Sequence, residues 1–207
     1  MHLTKTGKSI IREILEWVFL IIAAVLIASI IQSELFALTE VNMESMVDTL
    51  EPGDKLIMSK LAYCFDEPKR GDIIIFLRDE PVNGVLGRAS IYLEDIALKL
   101  KKEYRRNRLI KRVIGIPGDT IEIRDNILYV NGVAQHEPYA RIDPVENKVL
   151  NRELEKTVVL PGELFVLGDN RGHSLDSRNF GKINMSWVEG KAIFRVMPFS
   201  KFGSLYK

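Results

Sequence analysis

Cysteine is almost absent from this 207-residue chain. Its one representative, Cys64, excludes an intramolecular disulfide framework and a cysteine-rich zinc site. Histidine is nearly as scarce: His2, His136 and His173 are too scattered for a metal cluster, so neither metal nor cofactor is expected. An excess of one charge is missing too. With 29 basic and 28 acidic residues the formal net charge is +1, which gives no global reason to bind nucleic acid. No internal repeat stands out, and only one long apolar run occurs. What is present, 46% hydrophobic and 28% charged residues, is a globular composition. Beyond the N-terminal segment about 170 residues are left for one domain or two small subdomains.

The apolar run is Trp17 to Ile31, WVFLIIAAVLIASII, fifteen residues without a charge. At 1.5 Å per residue it covers about 22 Å of a hydrocarbon core about 30 Å thick. Ile10–Leu15 and Leu35–Leu38 are therefore expected to contribute to a span. Lys5, Lys8 and Arg12 precede the run, whereas Glu34, Glu40, Glu44 and Asp48 follow it with no basic residue before Lys55. This asymmetry predicts a single-pass anchor with a cytoplasmic N-terminus and an extracytoplasmic body. A cleaved signal peptide would need a small-residue pair at its exit, and Gln32–Ala37 contains no A-x-A-like pair. A buried core helix is the other alternative, disfavoured by the charge asymmetry. The expected organisation is a cytoplasmic segment 1–13, an anchor 14–35 and a cell-membrane-tethered domain 36–207.

Beyond the anchor the pattern becomes strand-like. Short runs at 55–59, 72–77, 108–114, 120–123, 127–130, 163–167 and 191–196 are separated by turn residues, including Pro-Gly at 52, 117 and 161. Asn131-Gly132 is a strong hairpin signal. These features predict a mostly β, antiparallel body. One segment, 89–106, breaks the pattern. Leu93, Ala97, Leu100 and Tyr104 recur at helical spacing, which predicts an amphipathic helix inserted among the strands. The stretch KLKKEYRRNRLIKR from Lys99 holds eight basic residues against one acid. It reads either as the solvated face of a helix packed on the body or as a basic surface against anionic lipid headgroups.

Three places carry chemistry. Ser45 lies in NMESMVDTL, about a dozen residues beyond the apolar run, and is either a turn serine or a tethered nucleophile. Lys111 alternates with Leu109 and Val113 on a predicted strand, so burial should lower its pKa. Bringing it from about 10.4 to near 8 costs about 3 kcal/mol, and a neutral amine is a competent base for a serine hydroxyl. The ordinary alternative is a lysine that snorkels out at a sheet edge. The stretch Gly168–Arg178, GDNRGHSLDSR, follows a clear strand and packs donors and acceptors into eleven positions. Asp–Arg pairing within it would make a rigid platform beside a site.

Taken together, the anchor, Ser45-Met46 with Thr49-Leu50, GDIIIF at 71–76, KRVIGIPGD at 111–119 and GDNRGHSLDSR resemble the bacterial type I signal peptidases. These are membrane-anchored Ser–Lys serine proteases (peptidase family S26) that remove signal peptides from exported proteins. The resemblance runs from about residue 10 to 195 in the family's order. It implies an antiparallel β fold in two lobes, LexA-like, with Ser45 as nucleophile and Lys111 as general base. Ser174 would orient the lysine amine by a hydrogen bond, Asp169, Asp176 and Arg178 would hold the geometry, and Met46 would shape the pocket floor. The implied partners are preprotein signal peptides with small residues at −1 and −3, membrane lipid, and proximity to the secretion translocon.

Three positions depart from the family. Met43 stands where a small residue is usual and cannot donate to an oxyanion, Asp48 replaces a usual proline, and Glu44 directly precedes Ser45. Carboxylates at 44 and 48 would oppose the lowering of the Lys111 pKa. The rival readings are a Ser–His–Asp hydrolase using His173, a self-cleaving repressor, and a weakly active accessory protein for surface-structure assembly. The lack of a nucleophile elbow around Ser45 argues against the first, and the anchor against the second. The retention of both Ser45 and Lys111 argues against the third.

Overall fold

The computed structural model describes residues 4–30, 35–82, 84–101, 108–142 and 153–206. A long helix, α1 (Thr4–Ile30), is followed by strands β1 (Phe36–Glu40), β2 (Lys55–Ser59) and β3 (Ile73–Leu77). Helix α2 (Gly84–Lys101) then precedes β4 (Arg108–Gly115), β5 (Thr120–Arg124), β6 (Ile127–Val130) and β7 (Val133–Ala134). After β8 (Leu154–Val158) and β9 (Glu163–Leu167) come the short helix α3 (Ser177–Phe180), β10 (Ile183–Asn184), β11 (Val188–Met197) and β12 (Gly203–Ser204).

The strands form two sheets. The larger has the order β1-β2-β11-β3-β4-β9-β10, with β12 against β11, and the smaller the order β7-β6-β5-β8. All the named strand pairs are antiparallel, as the short turn-punctuated runs predict. The tight turns follow their residues. Asp125-Asn126 and Asn131-Gly132 all take positive φ, the conformation a two-residue hairpin loop demands. Ile114, Phe165 and Leu167 of the larger sheet share one apolar cluster with Ile121, Leu128 and Val130 of the smaller. Two further clusters flank the middle of the large sheet. Ile73, Ile75 and Ile110 join Met46 and Leu50 in one, and Ile74, Phe76, Leu109 and Val113 join Leu164 and Val166 in the other. Every side chain of β3 is buried, as its unbroken apolar run requires.

Two expectations are corrected. Leu35–Leu38, assigned to the end of the span, instead opens β1 at Phe36, paired residue for residue from Phe36↔Ser59 to Glu40↔Lys55. A five-residue stretch ending in Thr39-Glu40 satisfies its backbone by laddering against β2. Among the described residues no helix is long and apolar enough to cross a membrane. The first half of α1 carries Lys5, Lys8, Arg12, Glu13 and Glu16, so its uncharged part is only about 21 Å long at 1.5 Å per residue. That part is nonetheless laid bare, with Phe19 69% exposed and Trp17, Ile21 and Val25 similar. Second, the stripe read as the packing face of the inserted helix points outward: Leu93, Ala97 and Leu100 are exposed, Leu100 to 80%. Tyr104 lies outside the described residues. The face turned to the body is one position round, where Ile91 is buried and Asp95 pairs with Arg108.

Candidate active site

Ser45 occupies a single 3-10 turn, Glu44–Met46, entered from extended backbone at Met43 and closed by Val47 N donating to Glu44 O at 3.1 Å. Met46, 1% exposed, plugs the turn into the core with Leu50, which leaves Ser45 just 6% exposed above it. The turn is then locked by Asp48 at φ 75, which lets Thr49 and Leu50 return their amides to Met46 O at 3.0 and 2.6 Å. A proline, confined to negative φ, does not fit this Asp48 conformation.

Lys111 comes to this serine from the middle of β4. It stands opposite Ile74, whose side chain clusters with Leu109 and Val113, and it is 1% exposed. Its Nζ lies 2.5 Å from Ser45 Oγ. Burial pushes the ammonium pKa down to about 8; Asp176 opposes this, Arg178 adds to it, and Asp169 opposes it again. The carboxylates acting on Lys111 are thus those of the polar loop. Glu44 and Asp48, which were expected to raise its pKa, both point into solvent.

The polar loop after β9 is the cradle of the turn. Asn170 N donates to Ser45 O at 3.0 Å and Asn170 Nδ2 to Glu44 O at 3.1 Å, so one residue holds two successive peptide units around the serine. Asp169, fully buried, accepts two bonds from the Arg112 guanidinium, at 2.8 and 2.7 Å, and a third from Thr49 Oγ1 at 2.6 Å. Asp176 accepts from Gly168 N at 3.0 Å and from Arg178 Nε and Nη2 at 2.9 and 2.8 Å. It also caps α3. Arg171 bridges Gly168 O to Glu137. Gly168 has no room for a side chain, because a Cβ there would run into the Ser45 carbonyl oxygen and Ser174 Oγ.

The structure therefore brings together Ser45, Lys111, Met46, Asp169, Asp176 and Arg178. Ser174 is the exception in detail. It is completely buried beside Gly168, but its Oγ makes no hydrogen bond to Lys111 or to any other described group. Lys111 Nζ is turned instead to Ser45 Oγ. His173 is exposed, and it is Lys111 that contacts Ser45 Oγ, which disposes of a Ser–His–Asp arrangement. Sequence reasoning missed Arg112, Thr49, Asn170 and the Glu137–Arg171 pair. Only Arg112 left a signal, a third basic residue after Arg108 and Lys111 on a strand that is otherwise apolar. No cluster of metal-ligating side chains occurs among the described residues.

Known proteins resemble this chain over most of its length. A family model described as signal peptidase, peptidase S26, matches residues 14–197. Signal peptidase I of Bacillus caldolyticus is 37% identical over 189 residues, covering 86% of this chain and 89% of that one. Signal peptidase I T of Bacillus subtilis (strain 168) is 34% identical over 202 residues, 95% of this chain and 92% of the other. Signal peptidase IB of Staphylococcus aureus (strain COL) is 31% identical over 203 residues, with 92% and 93% coverage. Among solved structures, a signal peptidase I of Enterococcus faecalis V583 aligns with 61% of this chain and 97% of that one, at 32% identity and a TM-score of 0.42. The family model and the sequence relatives define a serine endopeptidase. The chain belongs to the signal peptidase I family, peptidase S26, whose work is the removal of signal peptides from preproteins.

Proposed function

We propose that Ser45 and Lys111 are the catalytic dyad, and that the enzyme cleaves preproteins after small residues at −1 and −3. The observation that carries this reading is the 2.5 Å contact between Lys111 Nζ and Ser45 Oγ inside the body. With the amine neutral, Ser45 Oγ–H donates to Nζ; Lys111 takes that proton as Oγ attacks the scissile carbonyl carbon. The resulting ammonium returns the proton to the leaving amine as the peptide bond breaks. Water then hydrolyses the acyl-serine ester, with Lys111 accepting and returning one proton again. Asp169, Asp176, Arg178, Arg112 and Asn170 are positioning residues: they fix the turn and the loop. Met43 supplies no donor to the oxyanion, so that charge falls to backbone amides.

The substrate lies extended along β1, which among the described residues ends the order of the large sheet and offers a free edge leading to Ser45. Two lobes of a signal-peptidase-like fold correspond to the two sheets. We further infer that α1 anchors the chain with its N-terminus in the cytoplasm and its body extracytoplasmic, against membrane lipid and near the translocon. Support comes from the exposed apolar residues of α1 and from Lys5, Lys8 and Arg12 preceding the acids at 34, 40, 44 and 48.

The test is cleavage of an Ala-x-Ala preprotein by detergent-solubilised protein. Ser45→Ala and Lys111→Ala should each lose activity by about 10³-fold or more. Wild-type activity should rise with pH as Lys111 deprotonates near its lowered pKa of about 8. Activity surviving in either variant, or a profile that switches on near pH 6.5 as for histidine, overturns the dyad.

A further inference from the structure

Helix α2 joins neither sheet. The chain leaves β3 through Val82, whose amide donates to Ser186 O at 2.6 Å, and then turns into the helix. One guanidinium holds the helix in place. Arg108, at the start of β4, pairs with buried Glu189 of β11 through Nε at 2.5 Å and Nη2 at 3.1 Å, and reaches Asp95 of α2 with Nη2 at 2.5 Å. A carboxylate from the helix and one from the sheet thus share a cation that is itself mostly withdrawn from solvent. This clasp is stronger than an exposed pair of the same residues would be.

The clasp does not press the helix flat on the sheet. A cavity of about 790 Å³ remains between them, within the usual range for ligand-holding clefts. One wall is β1 with Ser45 and Met46. The other is the inner face of α2, chiefly Tyr92, Ile96 and Lys99. The serine that attacks and the helix therefore border the same space. A peptide reaching Ser45 along the β1 edge passes under α2.

An extended peptide points successive side chains to opposite sides. If those at −1 and −3 enter the body beside Met46, those at −2 and −4 face away from it. We propose that α2 is a second wall of the substrate cleft that reads the side chain at −2, favouring an apolar residue against Ile96 and Tyr92 over a basic one beside Lys99. This rests on the Ser45–Lys111 reading above. Ile96 is the test position because it is 38% exposed on a helix surface, so that changing it is compatible with the fold.

Binding separates this proposal from the chemistry. Two peptides with alanine at −1 and −3, carrying leucine or lysine at −2, are titrated against detergent-solubilised Ser45→Ala protein. The leucine peptide should bind about tenfold more tightly. In Ser45→Ala with Ile96→Asp that ratio should fall to about one or invert. Equal Kd values in the parent, or a tenfold ratio that survives Ile96→Asp, overturns the proposal. Cleavage of the leucine peptide by the otherwise native chain is followed in parallel. Its failure would overturn the dyad and leave the Kd comparison to decide on α2.

Discussion

Lys111 and Arg112 are consecutive residues of β4, both buried, and their surroundings treat charge in opposite ways. Arg112 meets a full carboxylate in bidentate geometry, a third partner in the Gly71 carbonyl at 2.9 Å, and the Tyr139 ring face 3.9 Å from its guanidinium carbon. Its charge is matched on every side, and its pKa is raised despite burial. Lys111 meets a neutral hydroxyl. The acids that would steady its charge, Asp176 and Asp169, are already committed to Arg178 and Arg112. The two regions teach the same lesson from opposite ends. A buried cation keeps its charge when its countercharge is adjacent, and is left with a lowered pKa when that countercharge is spent on a neighbour.

The comparison is broken most severely at Arg112. Arg112→Met leaves the Asp169 carboxylate buried with Thr49 as its side-chain partner, and should cost about 3–5 kcal/mol in a denaturant-unfolding experiment. Replacing both partners, Arg112→Met with Asp169→Asn, should recover part of that loss, because no uncompensated charge remains. A loss under about 1 kcal/mol in the single variant would show that Asp169 does not depend on Arg112.

Lys111→Met should act in the other direction. The folded pKa of about 8 lies below the ordinary 10.5, so the folded state carries a poorly solvated ammonium below pH 8. That cost is fully present in acid and fades as pH rises from 8 to 10.5, where the unfolded chain still binds the proton. A drop of this size corresponds to about 3 kcal/mol, offset by about 1 kcal/mol for the lost Ser45 contact. The variant should be inactive yet about 2 kcal/mol more stable at pH 7, with the difference shrinking above pH 8. A pH-independent difference would mean that Lys111 is not the buried charge. Thr49→Val should have the smallest effect, about 1.5 kcal/mol, since Asp169 keeps its guanidinium. Thermal midpoints at matched pH measure it.

Much of this was legible in the sequence, for physical reasons that differ by element. The strands at 55–59, 127–130 and 163–167 were readable to the residue because their turns are forced by Pro-Gly, Asn-Gly and Asp-Asn chemistry. Lys111 was readable because a lysine within an apolar alternation has few other fates. β1 was not, since Leu35–Leu38 stands only three polar residues beyond the apolar run and reads as its resumption, and only pairing with β2 decides its conformation. The face of α2 was misread for a related reason. The outward Leu93–Leu100 stripe has the cleaner periodicity, but the clasp from Arg108, set 81 residues later by Glu189, fixes the rotation. Of the basic stretch from Lys99, Arg108, Lys111 and Arg112 turn inward, so that charge run is in part an interior network. Asn170 was hidden because its partners are carbonyl groups, which carry no sequence signature.

The cradle around Ser45 has a consequence in time. Ser45 and Lys111, its proposed base, lie 66 residues apart in the chain, and the amide that grips the serine's turn lies 126 residues beyond Glu44. Nothing at Ser45 is competent until the loop after β9 has docked, near the end of the sequence. A protease whose substrates are extended peptides is itself an extended peptide as it leaves the ribosome. Spreading the site across the whole body delays its reactivity until the chain has folded and ceased to resemble its own prey.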